Sequence, residues 1–207
     1  MNKIAKFLLS TVFFLGVSSA QAKFVAGEDY VVLDKPVKTT TGDQIEVREL
    51  FWYYCPHCFN IEPLVKGYLK KMPQNAQFIR QPAVFSERWV DGAVFYYVLE
   101  QLGEIDRLHA KLFDAIHLHR TPLDDNDDFI DWLADHGVDE KKAMAALKSF
   151  SVRIKVNQSK LNTPKYKTNG VPTFVVNGKY WVDSTHAGSQ ARIFEVVDYL
   201  IKKETKK

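Results

Sequence analysis

Glu49-Leu50-Phe51-Trp52-Tyr53-Tyr54-Cys55-Pro56-His57-Cys58 is the stretch on which both fold and chemistry turn. It closes a strand that begins near Gln44, along which Ile45, Val47, Glu49 and Phe51 alternate onto one face. A helix is expected to open directly after it, with Cys55 near the N-cap and Pro56 as first helical residue, where its missing N–H costs nothing. The chain's 2 cysteines both lie in this tetrapeptide. As a staple the pair is poor: chain entropy gives ~2 kcal/mol for so short a loop, against ~4.7 for a loop of about 100 residues. Redox chemistry explains the spacing better. A thiol at a helix start faces unpaired N–H groups and the positive end of the helix dipole, both of which favour the thiolate. Zinc knuckles also use Cys-x-x-Cys, but they need about four ligands. The one close histidine pair, His117 and His119, points to different helix faces and is expected at the surface. His109, His136 and His186 are assigned no role.

Working outward, Tyr30 to Leu33 is a short strand candidate, and Gly42-Asp43 a turn. Pro63 falls inside the helix that follows Cys58 and is expected to kink it. Gln77 to Gln81 is a further strand. The middle of the chain then carries helical periodicity only. Trp89 to Leu102 is one helix, and Ile105, Leu108, Leu112, Phe113 and Ile116 form a stripe on the next. Phe129, Ile130, Trp132 and Leu133 mark a third, ended by Gly137. Asp139 caps a last one, expected to carry Met144, Leu147 and Ile154. Strands return at Thr173 to Val176 and Lys179 to Val182 around Asn177-Gly178, the dipeptide of a type I′ hairpin. The chain ends in an amphipathic helix with Ile193, Phe194, Val197, Leu200 and Ile201 inward. The expected organisation is an α/β domain, residues 23–85 and 161–207, interrupted by an all-helical domain, 86–160.

Residues 1–22 combine a basic start, an apolar run from Phe7 to Val17 and Ser18-Ser19-Ala20-Gln21-Ala22, the three parts of a secretory signal peptide. The apolar run is shorter than the ~20 residues that span a bilayer. Removing it takes away Lys3 and Lys6 but no acid. The 28 basic residues become 26 against 25 acidic ones, a net charge of +1. No nucleic-acid partner is indicated.

With the strand, the motif, Gly170-Val171-Pro172 and Phe174-Val175-Val176-Asn177-Gly178-Lys179-Tyr180 on the page, the mature chain resembles the DsbA family of the thioredoxin superfamily. The resemblance implies a thioredoxin fold with an inserted all-helical domain, and a periplasmic thiol:disulfide oxidoreductase that donates disulfides to newly exported proteins. Its redox-active Cys55–Cys58 disulfide is the only cofactor implied. Cys55 is the implied nucleophile and Cys58 its resolving partner; Pro56 and His57 are the residues that tune them. Glu49 matches the family's buried acid, which handles protons for the deeper thiol. The family pairs that acid with lysine. Arg80 stands there in this chain and, always charged, is expected to hold Glu49 ionised. Val171-Pro172 is the implied cis-proline loop that binds client backbone. Trp52, Tyr53 and Tyr54 are expected in the core, with Tyr54 partly exposed beside Cys55. The implied reoxidant is a DsbB-like, quinone-linked membrane protein, and a monomer is expected. The alternatives are an isomerase or reductase on the same fold, or a metal-binding carrier using the two cysteines. A Cys55 thiol lowered by several units makes the reduced protein the more stable form near neutral pH.

Overall fold

Ile45–Phe51 forms strand β2, and every residue of it is buried. Such a strand needs a sheet covered on both faces. The computed structural model, which describes residues 23–123 and 125–205, sets β2 between a parallel neighbour, β3 (Ala76–Pro82), and an antiparallel one, β4 (Thr173–Val176). Next to β4 comes β5 (Tyr180–Val182), and beyond it β1 (Val31–Val32), both antiparallel. The order across the sheet is β1-β5-β4-β2-β3. The signal peptide expected at 1–22 lies outside the described residues.

Parallel strands require a crossover, and α1 (Pro56–Leu69) supplies it between β2 and β3. Cys55 is its N-cap in extended conformation, Pro56 opens it, and the helix runs through Pro63 unbroken. Helix α1 covers one face of the sheet together with the C-terminal helix (Gln190–Thr205): Ile61, Val65, Tyr68, Ile193, Val197 and Leu200 pack on Ile45, Val47, Phe174 and Val176. The opposite face holds Leu33, Leu50, Ala83, Tyr166 and Trp181. At the hairpin, Asn177 (φ 51°) and Gly178 (φ 63°) are both left-handed, as a type I′ turn demands. A Cβ on Gly178 would sit 1.9 Å from the Val37 carbonyl oxygen.

Between β3 and β4 lie α2 (Val90–Leu102), α3 (Ile105–His117), α4 (Asn126–Asp135), α5 (Glu140–Leu147) and α6 (Phe150–Asn162). Side-chain oxygens of Asp125, Asp139 and Ser149 accept N–H groups at the starts of α4, α5 and α6. The single helix expected from Asp139 onward is therefore two, broken at Ser149, and Ile154 lies 39% exposed instead of joining the core. The core of the helical insert runs on into the end of the sheet. Phe51, Tyr53 and Cys58 are buried with Phe95, Leu99, Leu112, Phe113 and Phe129. Burying a side chain such as Phe51 contributes about 1.5–3 kcal/mol, so the end of β2 is a packed joint. The cysteine motif sits on that joint. No helix among the described residues is long and apolar enough to cross a membrane.

Candidate active site

The first turn of α1 leaves its N–H groups unpaired around Cys55. Cys55 is partly open to solvent, whereas Cys58, one turn on, is fully buried; both are free thiols. Their acidities part in opposite directions. The Cys55 thiol is drawn down to about 6, first by a hydrogen bond from the Cys58 side chain, against the opposing effect of burial. The backbone N–H groups of Cys58 and His57 follow, and the His57 charge comes last. Cys58 is pushed well up by burial, then by the hydrogen bond and charge of Cys55. The Cys58 thiol is the largest single favourable influence and the His57 charge the smallest. His57 itself is exposed, and Gln190 Nε2 donates to its carbonyl at 2.9 Å.

The Val171–Pro172 peptide is cis, and the Cys55 thiol donates to the Val171 carbonyl at 3.4 Å. Thr168 and Thr173 hydroxyls, 2.9 Å apart, both reach the Gly170 carbonyl, at 3.1 and 2.8 Å. These bonds hold the loop against the motif. A cleft of about 340 Å³ runs beside it, bordered by His57, Val171, Pro172, Asp183 and Thr185.

Glu49 is completely buried and pairs across the sheet with Arg80. Arg80 Nε lies 3.2 Å from Glu49 Oε2 but off the hydrogen-bond direction, so neither atom has a hydrogen-bond partner among the described residues. The guanidinium is shared: its Nη2 donates to Glu62 Oε2 at 3.2 Å. Burial and the Glu62 charge raise the Glu49 carboxyl to about 8, and Arg80 offsets them only in part. One guanidinium thus faces two carboxylates, and burial together with the Glu62 charge outweighs its pull on Glu49. Glu62 goes the other way. Burial raises it, but the hydrogen bond from His109 and the pull of Arg80 outweigh burial; burial lowers the His109 ring itself, so it acts here as a neutral N–H donor.

Two histidines differ from expectation. His109 is buried, with Nε2 3.4 Å from Glu62 and Nδ1 2.8 Å from the Tyr53 hydroxyl. His117 is half-buried, not a surface residue. Its Nε2 donates to the Tyr53 carbonyl at 2.7 Å and its ring stacks on Phe59. A usable signal existed: His109 shares the helical stripe of Leu112, Phe113 and Ile116, which placed it inward. Glu62, 18 residues before Arg80 in the sequence and on another element, carried none. Tyr53 is buried, and Trp52 and Tyr54 are half-buried. Trp52 stacks on Trp89 at 4.2 Å, and the Tyr54 hydroxyl donates to the Leu123 carbonyl. Among the described residues no group of three or more His, Cys, Asp or Glu side chains could hold a metal ion.

Comparison with known proteins agrees with this geometry. Residues 46–191 match the model of the DSBA-like thioredoxin domain. The thiol:disulfide interchange protein DsbA of Pseudomonas aeruginosa is 36% identical over 203 residues, 98% of this chain and 96% of the relative. That of Burkholderia cepacia is 38% identical over 205 residues, 95% and 96%. The crystal structure of Pseudomonas aeruginosa DsbA superimposes with a TM-score of 0.84 at 38% identity, covering 88% of this chain and 95% of that one. The oxidoreductase DsbA from Xylella fastidiosa gives 0.82 at 28% identity, over 88% and 98%.

Proposed function

This chain belongs to the DsbA family of thiol:disulfide oxidoreductases, and from that premise we propose that it works as a disulfide donor to newly exported proteins. The carrying observation is the opposite displacement of its two thiols, Cys55 down and Cys58 up. A thiol of low pKa is the better leaving group and the more stable reduced product. The reaction then reads as follows. A client thiolate attacks Cys55 Sγ of the Cys55–Cys58 disulfide; that bond breaks, and Cys58 leaves with the electron pair and takes a proton. A second client thiolate attacks the client sulfur of the mixed disulfide. The client disulfide forms, Cys55 departs as a thiolate, and two electrons have passed from client to enzyme.

Each remaining residue is given a role by its place. Pro56 opens the helix and His57 adds charge beside Cys55. Protonated Glu49 supplies the Cys58 proton, its carboxyl being raised toward 8. Val171 and Pro172 offer backbone to the client, supported by the Val171 carbonyl facing the Cys55 thiol. We assign residues 23–85 and 161–207 to the thioredoxin-like domain and 86–160 to the insert; α6 continues two residues past that boundary to Asn162. Residues 1–22 act as signal peptide, the location is the periplasm, the protein is a monomer, and a DsbB-like quinone-linked membrane protein restores the disulfide.

Equilibration with reduced and oxidised glutathione separates this reading from a reductase. The Cys55–Cys58 pair is expected to be reduced by modest glutathione, and a pair that stays oxidised in its excess overturns the donor reading. Cys58→Ala is expected to trap clients on Cys55 in cells; Cys55→Ala trapping the same clients through Cys58 reverses the roles.

A further inference from the structure

Glu49 has no exposed surface, so a proton it gives to Cys58 has to be replaced through the protein. Two carboxylates, the buried Glu49 and the half-buried Glu62, share the Arg80 guanidinium at 3.2 Å each. With one proton between them the trio is neutral; with none it carries an extra negative charge in a dry interior, which burial opposes. The hydrogen bonds each carboxylate receives decide which one holds that proton. Glu49 receives none among the described residues. Glu62 receives one from Arg80 and faces Nε2 of His109. On the other side of that ring, the Tyr53 hydroxyl lies 2.8 Å from Nδ1. With the hydroxyl donating to Nδ1, the ring proton sits on Nε2 and points at Glu62.

We propose that His109, brought in by the helical insert, is a positioning residue of the redox reaction: it holds Glu62 ionised, and so leaves the shared proton on Glu49, where the Cys58 thiolate needs it. This rests on the reading of Glu49 as proton donor given above. The proton count closes. Glu49 gives one proton to the leaving Cys58 thiolate, and one proton from solvent refills the carboxylate pair. Its entry point is Glu62, which borders a groove of about 460 Å³ between α1 and α3 with Pro63, Lys66 and Asp114. The other titratable groups around the cluster are Tyr53, at the end of β2, and Tyr96 of α2, edge-on to the His109 ring at 6.0 Å. The acidities agree with the geometry, Glu49 being raised and Glu62 lowered. The arrangement also gives the helical insert a part in the chemistry, since α3 carries the residue that biases a carboxyl on β2.

The test is a carboxyl titration of the reduced protein by carbon-13 NMR, with labelled glutamate and the Glu49 resonance identified by its loss in Glu49→Gln. In His109→Leu the Glu49 midpoint is expected to fall by about one pH unit or more and that of Glu62 to rise. His109→Gln, whose amide can still donate to Glu62, is expected to recover most of the shift, which a merely structural role does not predict. An unmoved Glu49 midpoint in folded His109→Leu overturns the proposal. If that variant does not fold, Glu62→Gln serves: it ends the sharing and has to lower the Glu49 midpoint, and an unmoved value overturns the proposal equally. The single-turnover rate of disulfide transfer in Glu49→Gln tells the two failures apart. A wild-type rate there removes the premise and the proposal with it, whereas a slow Glu49→Gln beside an unmoved midpoint sinks the role of His109 alone.

Discussion

Reduction of the Cys55–Cys58 pair couples stability to pH, and the size of the effect follows from the Cys55 acidity. The folded thiol titrates at about 6, against ~8.5 in an unfolded chain. A depressed folded value contributes stability that is complete above the unfolded pKa and lost as pH falls through the folded one. At pH 5 the contribution is below ~0.1 kcal/mol; at pH 7 it reaches ~1.4 and at pH 8 ~2.5 kcal/mol. Cys55 is partly open to solvent, and screening brings these to roughly 1 and 2 kcal/mol. Cys58, displaced upward, subtracts only above ~8.5, where the unfolded thiol ionises and the folded one does not. Glu49, raised to about 8, costs stability as pH climbs from ~4.3 toward 8. That cost is common to both redox forms and drops out of their difference.

The oxidised form has the loop entropy of its short bridge in its favour, ~2 kcal/mol. The two effects are therefore comparable in size near neutral pH, and the share of the thiolate grows as pH rises. Relative to the oxidised form, the reduced protein should gain ~1 kcal/mol between pH 5 and pH 7 and ~2 kcal/mol by pH 8. Urea melts of both forms at pH 5, 6, 7 and 8, each referred to the other at the same pH, measure the difference. A difference independent of pH, or one that grows in favour of the oxidised form as pH rises, refutes a stabilised Cys55 thiolate.

His57→Ser should raise the Cys55 pKa by less than ~1 unit, and make the disulfide less oxidising by under ~30 mV, because the N–H groups of residues 57 and 58 and the Cys58 thiol all remain. Thiolate absorbance against pH reads it, and a larger shift contradicts the placing of the His57 charge last. Gly178→Ala should cost ~2 kcal/mol or more, since the residue is left-handed and its Cβ would meet the Val37 backbone at 1.9 Å. An unchanged urea midpoint would show that the hairpin and the 37–38 segment give way freely.

What could be read from the sequence is what short-range physics writes there. Period-two alternation placed β2, Pro56 placed the start of α1, and Asn177-Gly178 placed a turn whose two residues must both be left-handed. Arg80 opposite Glu49 came from the family resemblance, and the parallel register of β2 and β3 pairs the two. The acidity of Glu49 was not readable. It depends on Glu62 from α1 competing for the same guanidinium, and on His109 from α3 holding Glu62, so four elements, β2, α1, β3 and α3, have to close before the balance exists. The break at Ser149 was missed for a related reason: Met144, Leu147 and Ile154 fit one helical period, yet Ser149 caps a new helix by accepting the Val152 N–H, and the stripe no longer runs on to Ile154. Periodicity says which face is apolar, but where two helices meet, the hydrogen bonds of the helix ends decide the register. At the active site the same limit has a chemical consequence. The charge of a buried carboxyl is a property of its neighbours, and what Arg80 does to Glu49 depends on the second carboxylate beside it.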